Sequence, residues 1–204
     1  MSPSKSIRRS KDFPIWATEW SVTRALAVRF GGAEHVPPAA LERGTLVHEW
    51  TAKSDQYGLN PKPSRTVEMP TGLEGYCYAY QDFVEASKPR WLKIETPVES
   101  ETLGYHGIVD RFGFLYGTSN KVVLDIKTGA PRNADRYQLA AYALALVPDI
   151  LSMDTSQQPH RIGLYIRAEG TWTLKQYDDI GDYITWMDIL TEAKESRNGT
   201  NRTH

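Results

Sequence analysis

Residues 107–129 read GIVDRFGFLYGTSNKVVLDIKTG. Two apolar runs flank a turn signal. Tyr105 to Tyr116 carries Ile108, Val109, Phe112, Phe114 and Leu115, and the return run carries Val122, Val123, Leu124 and Ile126. Gly117-Thr118-Ser119-Asn120 between them is rich in turn-forming residues, which predicts a β-hairpin. With its centre near Gly117-Thr118, Asp110 falls opposite Asp125, and opposed Cβ atoms in an antiparallel pair are only ~5 Å apart. One hard divalent cation can then take oxygens from both carboxylates. Alternation puts Asp125 and Lys127 on one face, sends Ile126 to the core, and turns Arg111 away from Asp110. Two carboxylates this close repel unless a metal or a shared proton intervenes. A lysine beside them can orient a water and neutralise phosphate charge. Alone, the segment suits equally well an ordinary polar hairpin face with a cross-strand Asp–Lys pair.

Working outward, 204 residues suffice for one substantial domain and are short for two. The 40% hydrophobic and 24% charged content suits a soluble globular chain. No apolar run reaches membrane-spanning length, so no membrane partner is expected. The start, MSPSKSIRRSKDFP, is basic without an apolar run after it and so does not resemble a secretory signal. Residues 1–12 are expected to be a flexible basic tail, 13–196 the folded domain, and 197–204 a disordered tail. Cys77 is the single cysteine, which excludes an internal disulfide and a cysteine-ligated zinc or iron–sulfur site, and suits a reducing cytoplasm. A net charge of -1 argues against a surface that binds nucleic acid all over, though acidic metal ligands themselves lower the formal charge.

Ser21 is placed to cap a helix ending before Gly31-Gly32, and Pro37-Pro38 precedes a second helix over 39–56. Residues 57–70 read as a loop. Thr71-Gly72-Leu73-Glu74 has capping-box spacing for a third helix to Ser87. A strand is expected from Trp91 to Val98, broken near Pro97, then the hairpin, a loop at 131–135, a helix over 136–147, a second hairpin about Glu169-Gly170, and a last helix over 179–196. The order predicts an α/β single domain with a central mixed sheet flanked by helices.

Three features outside the hairpin add to it. Gly44 and His48 share a helix face, imidazole is a good metal ligand, and a mid-helix glycine suggests close approach of another element. Gln138 and Tyr142 share a face of the helix after the lysine strand, where Gln138 can hold a water, a phosphate or Lys127. Glu95, in KIETPVE, is a further acidic ligand or orienter, with Glu99 and Glu49 as competitors.

Taken in order, G-x-x-x-H, an acidic strand, G-I-V-D-R, D-I-K-T-G and Q-x-x-x-Y resemble the PD-(D/E)XK nuclease superfamily in its RecB-like, stand-alone, phage-like exonuclease branch. The match spans 44–142. The resemblance implies a restriction-endonuclease-like core, metal binding by His48, Asp110 and Asp125, water activation by Lys127, and a supporting, substrate-contacting role for Gln138 and Tyr142; the Ile126 carbonyl is a further candidate ligand, because strand carbonyls beside such a site are accessible. It implies Mg²⁺ or Mn²⁺, DNA as partner, and hydrolysis of phosphodiester bonds in recombination or end processing. A homo-oligomer, a single-strand annealing or binding protein as partner, and a phage origin in a host cytoplasm are compatible with it. Arg111, Lys121, Arg132 and Arg136 are candidate phosphate contacts, with Arg8, Arg9 and Lys11 in the tail and Arg24 and Arg43 near the helices. The second acidic position is Asp where Glu is more frequent, and the chain has no room for a helicase. Cutting within a strand rather than from an end, a DNA-binding module without catalysis, and an unrelated metal hydrolase of small phosphate esters stay open.

Overall fold

The computed structural model describes residues 18–59 and 67–200. The expectations for residues 1–17 and 201–204, including Arg8, Arg9 and Lys11, and for 60–66 of the expected loop, lie outside the described residues.

The expected hairpin forms from β3, Tyr105–Phe114, and β4, Val122–Lys127. Its pairs Arg111↔Leu124, Phe112↔Val123 and Gly113↔Val122 centre on Gly117-Thr118. β2, Arg90–Ser100, runs antiparallel along the outer side of β3. It passes Pro97 without a break. Pro97 has no amide to donate, but β2 pairs with β3 alone, so its free edge needs no donor there. β1, Trp20–Ser21, is a short parallel partner of β3 that no sequence pattern announces. β4 is followed by α4, Asn133–Leu146, and by the parallel strand β5, His160–Ile166, which turns at Gly170 into antiparallel β6, Trp172–Gln176. The result is a six-stranded mixed sheet in one α/β domain.

Helices cover both faces of the sheet. α1, Val22–Phe30, and α5, Gly181–Thr200, join α4 on one face in a core holding Tyr105, Val123, Leu139 and Trp186. α2, Pro38–Leu59, and α3, Glu74–Ser87, cover the other with Val47, Phe83, Leu124 and Ile126. β4 is therefore apolar on both faces, as expected of a central strand, except where it carries Asp125 and Lys127. Among the described residues no helix is long and apolar enough to cross a membrane.

Several boundaries differ from the sequence reading. α2 runs to Leu59, three residues into the expected loop. Ser21 does cap α1, its Oγ accepting from the Arg24 amide at 3.2 Å. Thr71, however, does not cap α3. Gly72 adopts φ +79°, which swings the Glu74 carboxylate back onto the Gly72 amide at 3.0 Å, and Leu73 takes the cap position. α4 begins three residues early because Asp135 accepts the Arg132 amide at 2.8 Å and closes the first turn. α5 runs to Thr200, past the expected end at Ser196.

Candidate active site

The β3–β4 ladder ends at Arg111↔Leu124, one residue short of Asp110 and Asp125. In place of the next main-chain bond, Asp110 Oδ2 accepts the Ile126 amide at 2.7 Å. The Ile126 carbonyl faces α2, where His48 Nε2 lies 2.8 Å away. The other ring nitrogen, His48 Nδ1, is 3.5 Å from Asp110 Oδ2 and 3.7 Å from Glu95 Oε1. One ligand atom from each of His48, Glu95 and Asp110 falls within 4.8 Å of the others. Asp125 is outside that trio. It lies 2.7 Å from Lys127 Nζ through Oδ2, an ion pair whose angles do not make a directed hydrogen bond, so this buried oxygen has no hydrogen-bond partner.

Lys127 is held from both sides. Besides Asp125, its ammonium donates to Gln138 Oε1 at 2.8 Å, and Gln138 Nε2 donates to the Tyr142 hydroxyl at 2.9 Å. Of the roles open to Gln138, the structure shows the contact with Lys127. Tyr142 reaches this position because residue 107 is glycine. A Cβ there would sit 2.7 Å from Tyr142 Cε1 and 3.2 Å from Val22 Cγ2. Gly44 is different: an added Cβ would lie 4.0 Å from Thr128 Oγ1, ordinary contact, so the tight approach expected at that glycine is not found.

The electrostatics follow from crowding four ionisable groups out of water. Burial disfavours the His48 cation, but the Asp110 and Glu95 carboxylates outweigh it and hold the imidazole well above its usual range. Burial likewise opposes ionised Asp110, yet His48, Lys127 and the Ile126 amide keep it below the ordinary value. Asp125 goes the other way, pushed up to about 7 by burial against the pull of Lys127, with Asp110 adding to the rise. Lys127 is raised, the Asp125, Asp110 and Asp135 carboxylates overcoming its burial. Burial and the nearby Asp125 and Asp110 charges also keep the Tyr142 phenol protonated well above its normal range. His48 and Lys127 thus serve as the counterions of Asp110 and Asp125.

The donor set fits a divalent cation. Carboxylate oxygens and a main-chain carbonyl suit Mg²⁺ and Mn²⁺, imidazole suits the transition metal of the pair, and Asp125 Oδ2 is a buried acceptor lacking a hydrogen bond.

Two of the expected phosphate contacts do not face solvent freely. Arg111 is fully buried and spends its guanidinium on Asp55, Thr51, Glu95 and the Asp110 carbonyl. It does turn away from Asp110, but into the α2/α3 layer. Arg136 is half-buried and bonded to Asp182 at 2.6 Å and Asp179 at 3.3 Å. Lys121 is exposed but precedes β4 at the end far from the site, four residues or ~13 Å of strand from Asp125. Arg132, 64% exposed at the start of α4, is five residues past Lys127. Arg43 donates to Thr128 Oγ1 at 3.4 Å, beside Lys127, and Arg24 packs over the Trp20 ring.

Thr51, Asp55 and Tyr80 belong to the surroundings of the site and were not anticipated. Thr51 and Asp55 lie three and seven residues after His48, a polar stripe at helical spacing along α2, which is the signal that would have found them. On the opposite face, Tyr165 links buried Asp135 to Tyr177 through bonds of 2.8 and 2.7 Å.

No protein-family model matches this sequence, and no curated protein matches it. Among solved structures, the chain is similar to an alkaline exonuclease, LHK-Exo, from Laribacter hongkongensis, at 13% identity over 89% of this chain and 91% of that one, with a TM-score of 0.41. The LHK-Exo complex with dAMP is similar at 14% identity over 90% and 91% of the two chains, with a TM-score of 0.35. An overlap this loose transfers no residue role.

Proposed function

We propose that residues 13–196 form a divalent-metal-dependent DNA exonuclease of the RecB-like PD-(D/E)XK type. The observation that carries this reading is the Lys127 ammonium, held by Asp125 and Gln138, beside the ligand atoms of His48, Glu95 and Asp110 and the Ile126 carbonyl. A binding module without catalysis has no use for a lysine fixed this way.

His48, Asp110, Asp125 and the Ile126 carbonyl would hold Mg²⁺ or Mn²⁺, which when bound supplies Lewis acidity toward the phosphate and lowers the pKa of a water. Lys127 orients the attacking water and offsets the negative charge that grows on the phosphate oxygens. Gln138 aims Lys127, and Tyr142 aims Gln138. Arg132, exposed at the start of α4, and Arg43, bonded to Thr128 beside Lys127, are the candidate contacts to the DNA backbone.

The test is incubation of linear and circular DNA, each single- and double-stranded, with Mg²⁺, Mn²⁺ or chelator. Loss of linear DNA with either metal, none with chelator, and intact circles support the reading. Cut circles make the protein an endonuclease. No cleavage of any DNA with either metal overturns a nuclease reading.

A further inference from the structure

A buried arginine next to a metal-binding aspartate would ordinarily be accounted for as fold stabilisation. Arg111 spends its bonds in a way that account does not need. Nη1 donates both to the Asp110 carbonyl at 2.7 Å and to Glu95 Oε1 at 3.0 Å. Nη2 donates to Thr51 Oγ1 at 3.0 Å, and Thr51 Oγ1 in turn donates to the His48 carbonyl. Nε donates to Asp55 Oδ2 at 2.5 Å, an oxygen also bonded by Tyr80. One guanidinium therefore ties together the helix that carries His48 and the two strands that carry Glu95 and Asp110.

Glu95 is the member of that set least able to hold its own position. It lies in the edge strand β2, just past the register shift between Trp91 and Lys93, and it adopts φ +42°. This is the left-handed region, unfavourable for a residue with a Cβ, and such conformations persist where surrounding structure imposes them. The contacts imposing it fall on one carboxylate oxygen: Oε1 meets Arg111 at 3.0 Å and His48 Nδ1 at 3.7 Å, leaving Oε2 for a cation.

We infer that Arg111 is a positioning residue of the metal centre: it holds Glu95 in reach of the cation as a ligand, and Asp55 fixes Arg111 from behind. This rests on the metal-dependent reading of the site. Arg111 touches neither the cation nor the DNA. A lysine keeps the charge at residue 111 but not the planar fork that spans Glu95, Asp55 and Thr51 at once.

The test is Mn²⁺ binding by titration calorimetry on the full chain, with no DNA present, for wild type, Glu95→Gln, Arg111→Lys and the double variant. Thermal melts confirm that each is folded. Arg111→Lys is expected to weaken Mn²⁺ about 10- to 100-fold, as loss of an outer-shell partner typically does, and Glu95→Gln, which removes the ligand itself, by at least as much. The double variant should be no weaker than the weaker single, because both remove the same ligand. Wild-type affinity in Arg111→Lys, or losses that multiply in the double variant, overturns the inference while leaving the metal centre standing. Should Arg111→Lys fail to fold, Asp55→Asn takes its place with the same two outcomes, since Asp55 reaches Glu95 only through Arg111. Absence of Mn²⁺ binding in wild type removes the metal centre and the inference with it.

Discussion

Gln138 Oε1 accepts from Lys127 Nζ at 2.8 Å, and this bond joins the helix after β4 to the strand that carries the chemistry. Lys127→Ala is expected to abolish DNA cleavage while leaving the melting temperature within a few degrees of wild type. Gln138→Ala should lower kcat about 10- to 100-fold with little change in KM, because it frees the lysine without removing it. Steady-state cleavage of end-labelled DNA separates the two parameters. A pure KM effect at Gln138 would show that it binds substrate rather than aiming Lys127.

Asp125 gives the metal-free protein a particular dependence on pH. Its folded pKa is about 7, against a value near 3.8 when exposed. The folded state therefore holds the proton more tightly than the unfolded state. The contribution to stability is full below about pH 4, falls as pH rises to 7, and is constant above that. In chelator, Asp125→Asn should melt several degrees above wild type at pH 8, with the gap closing toward pH 4. Mn²⁺ should raise the wild-type melting temperature at pH 8 and leave the variant nearly unmoved. A gap that widens as pH falls would contradict the assignment.

Gly107 is set by the Tyr142 ring. Gly107→Val forces that ring out of its place against β3 and should cost about 1–3 kcal/mol in urea denaturation. Cleavage should fall as well, since the Tyr142 hydroxyl holds Gln138. Cleavage at the wild-type rate in the folded variant would uncouple Tyr142 from the site.

Arg132 and Arg111 should part company in DNA binding. Arg132→Ala is expected to reduce the slope of log affinity against log salt by about 1. Arg111→Lys should leave that slope unchanged, as the guanidinium it replaces is fully buried. Fluorescence anisotropy across a salt series, with Ca²⁺ replacing Mg²⁺, measures both.

Much of the site was legible because a strand's side chains alternate strictly. With the turn placed at Gly117-Thr118, the hairpin register and the shared face of Asp125 and Lys127 follow, and the observed pairs have that centre, though the ladder stops one residue short of Asp110 and Asp125. Residues four apart on a helix linked Gln138 to Tyr142 in the same way. Arg111 is buried rather than free for a phosphate, for a reason that periodicity cannot supply. Alternation tells which way a side chain turns, not what lies there, and a charged group is by default expected in water. Only the packing of α2 and α3 against that face supplies Asp55, Thr51 and Tyr80 as partners. Likewise, β2 continues through Pro97 because it is an edge strand, and whether a strand lies at an edge depends on the whole sheet.

Ile126 divides its labour between two parts of the molecule. Its side chain belongs wholly to the core under α2 and α3, while its amide bonds Asp110 and its carbonyl faces His48. The reactive element at this position is the peptide unit, which every amino acid but proline supplies intact. Sequence can therefore drift here among apolar residues at a modest cost in packing and none in chemistry. Proline alone deletes a site contact by removing the amide hydrogen, so the position is chemically strict while looking permissive.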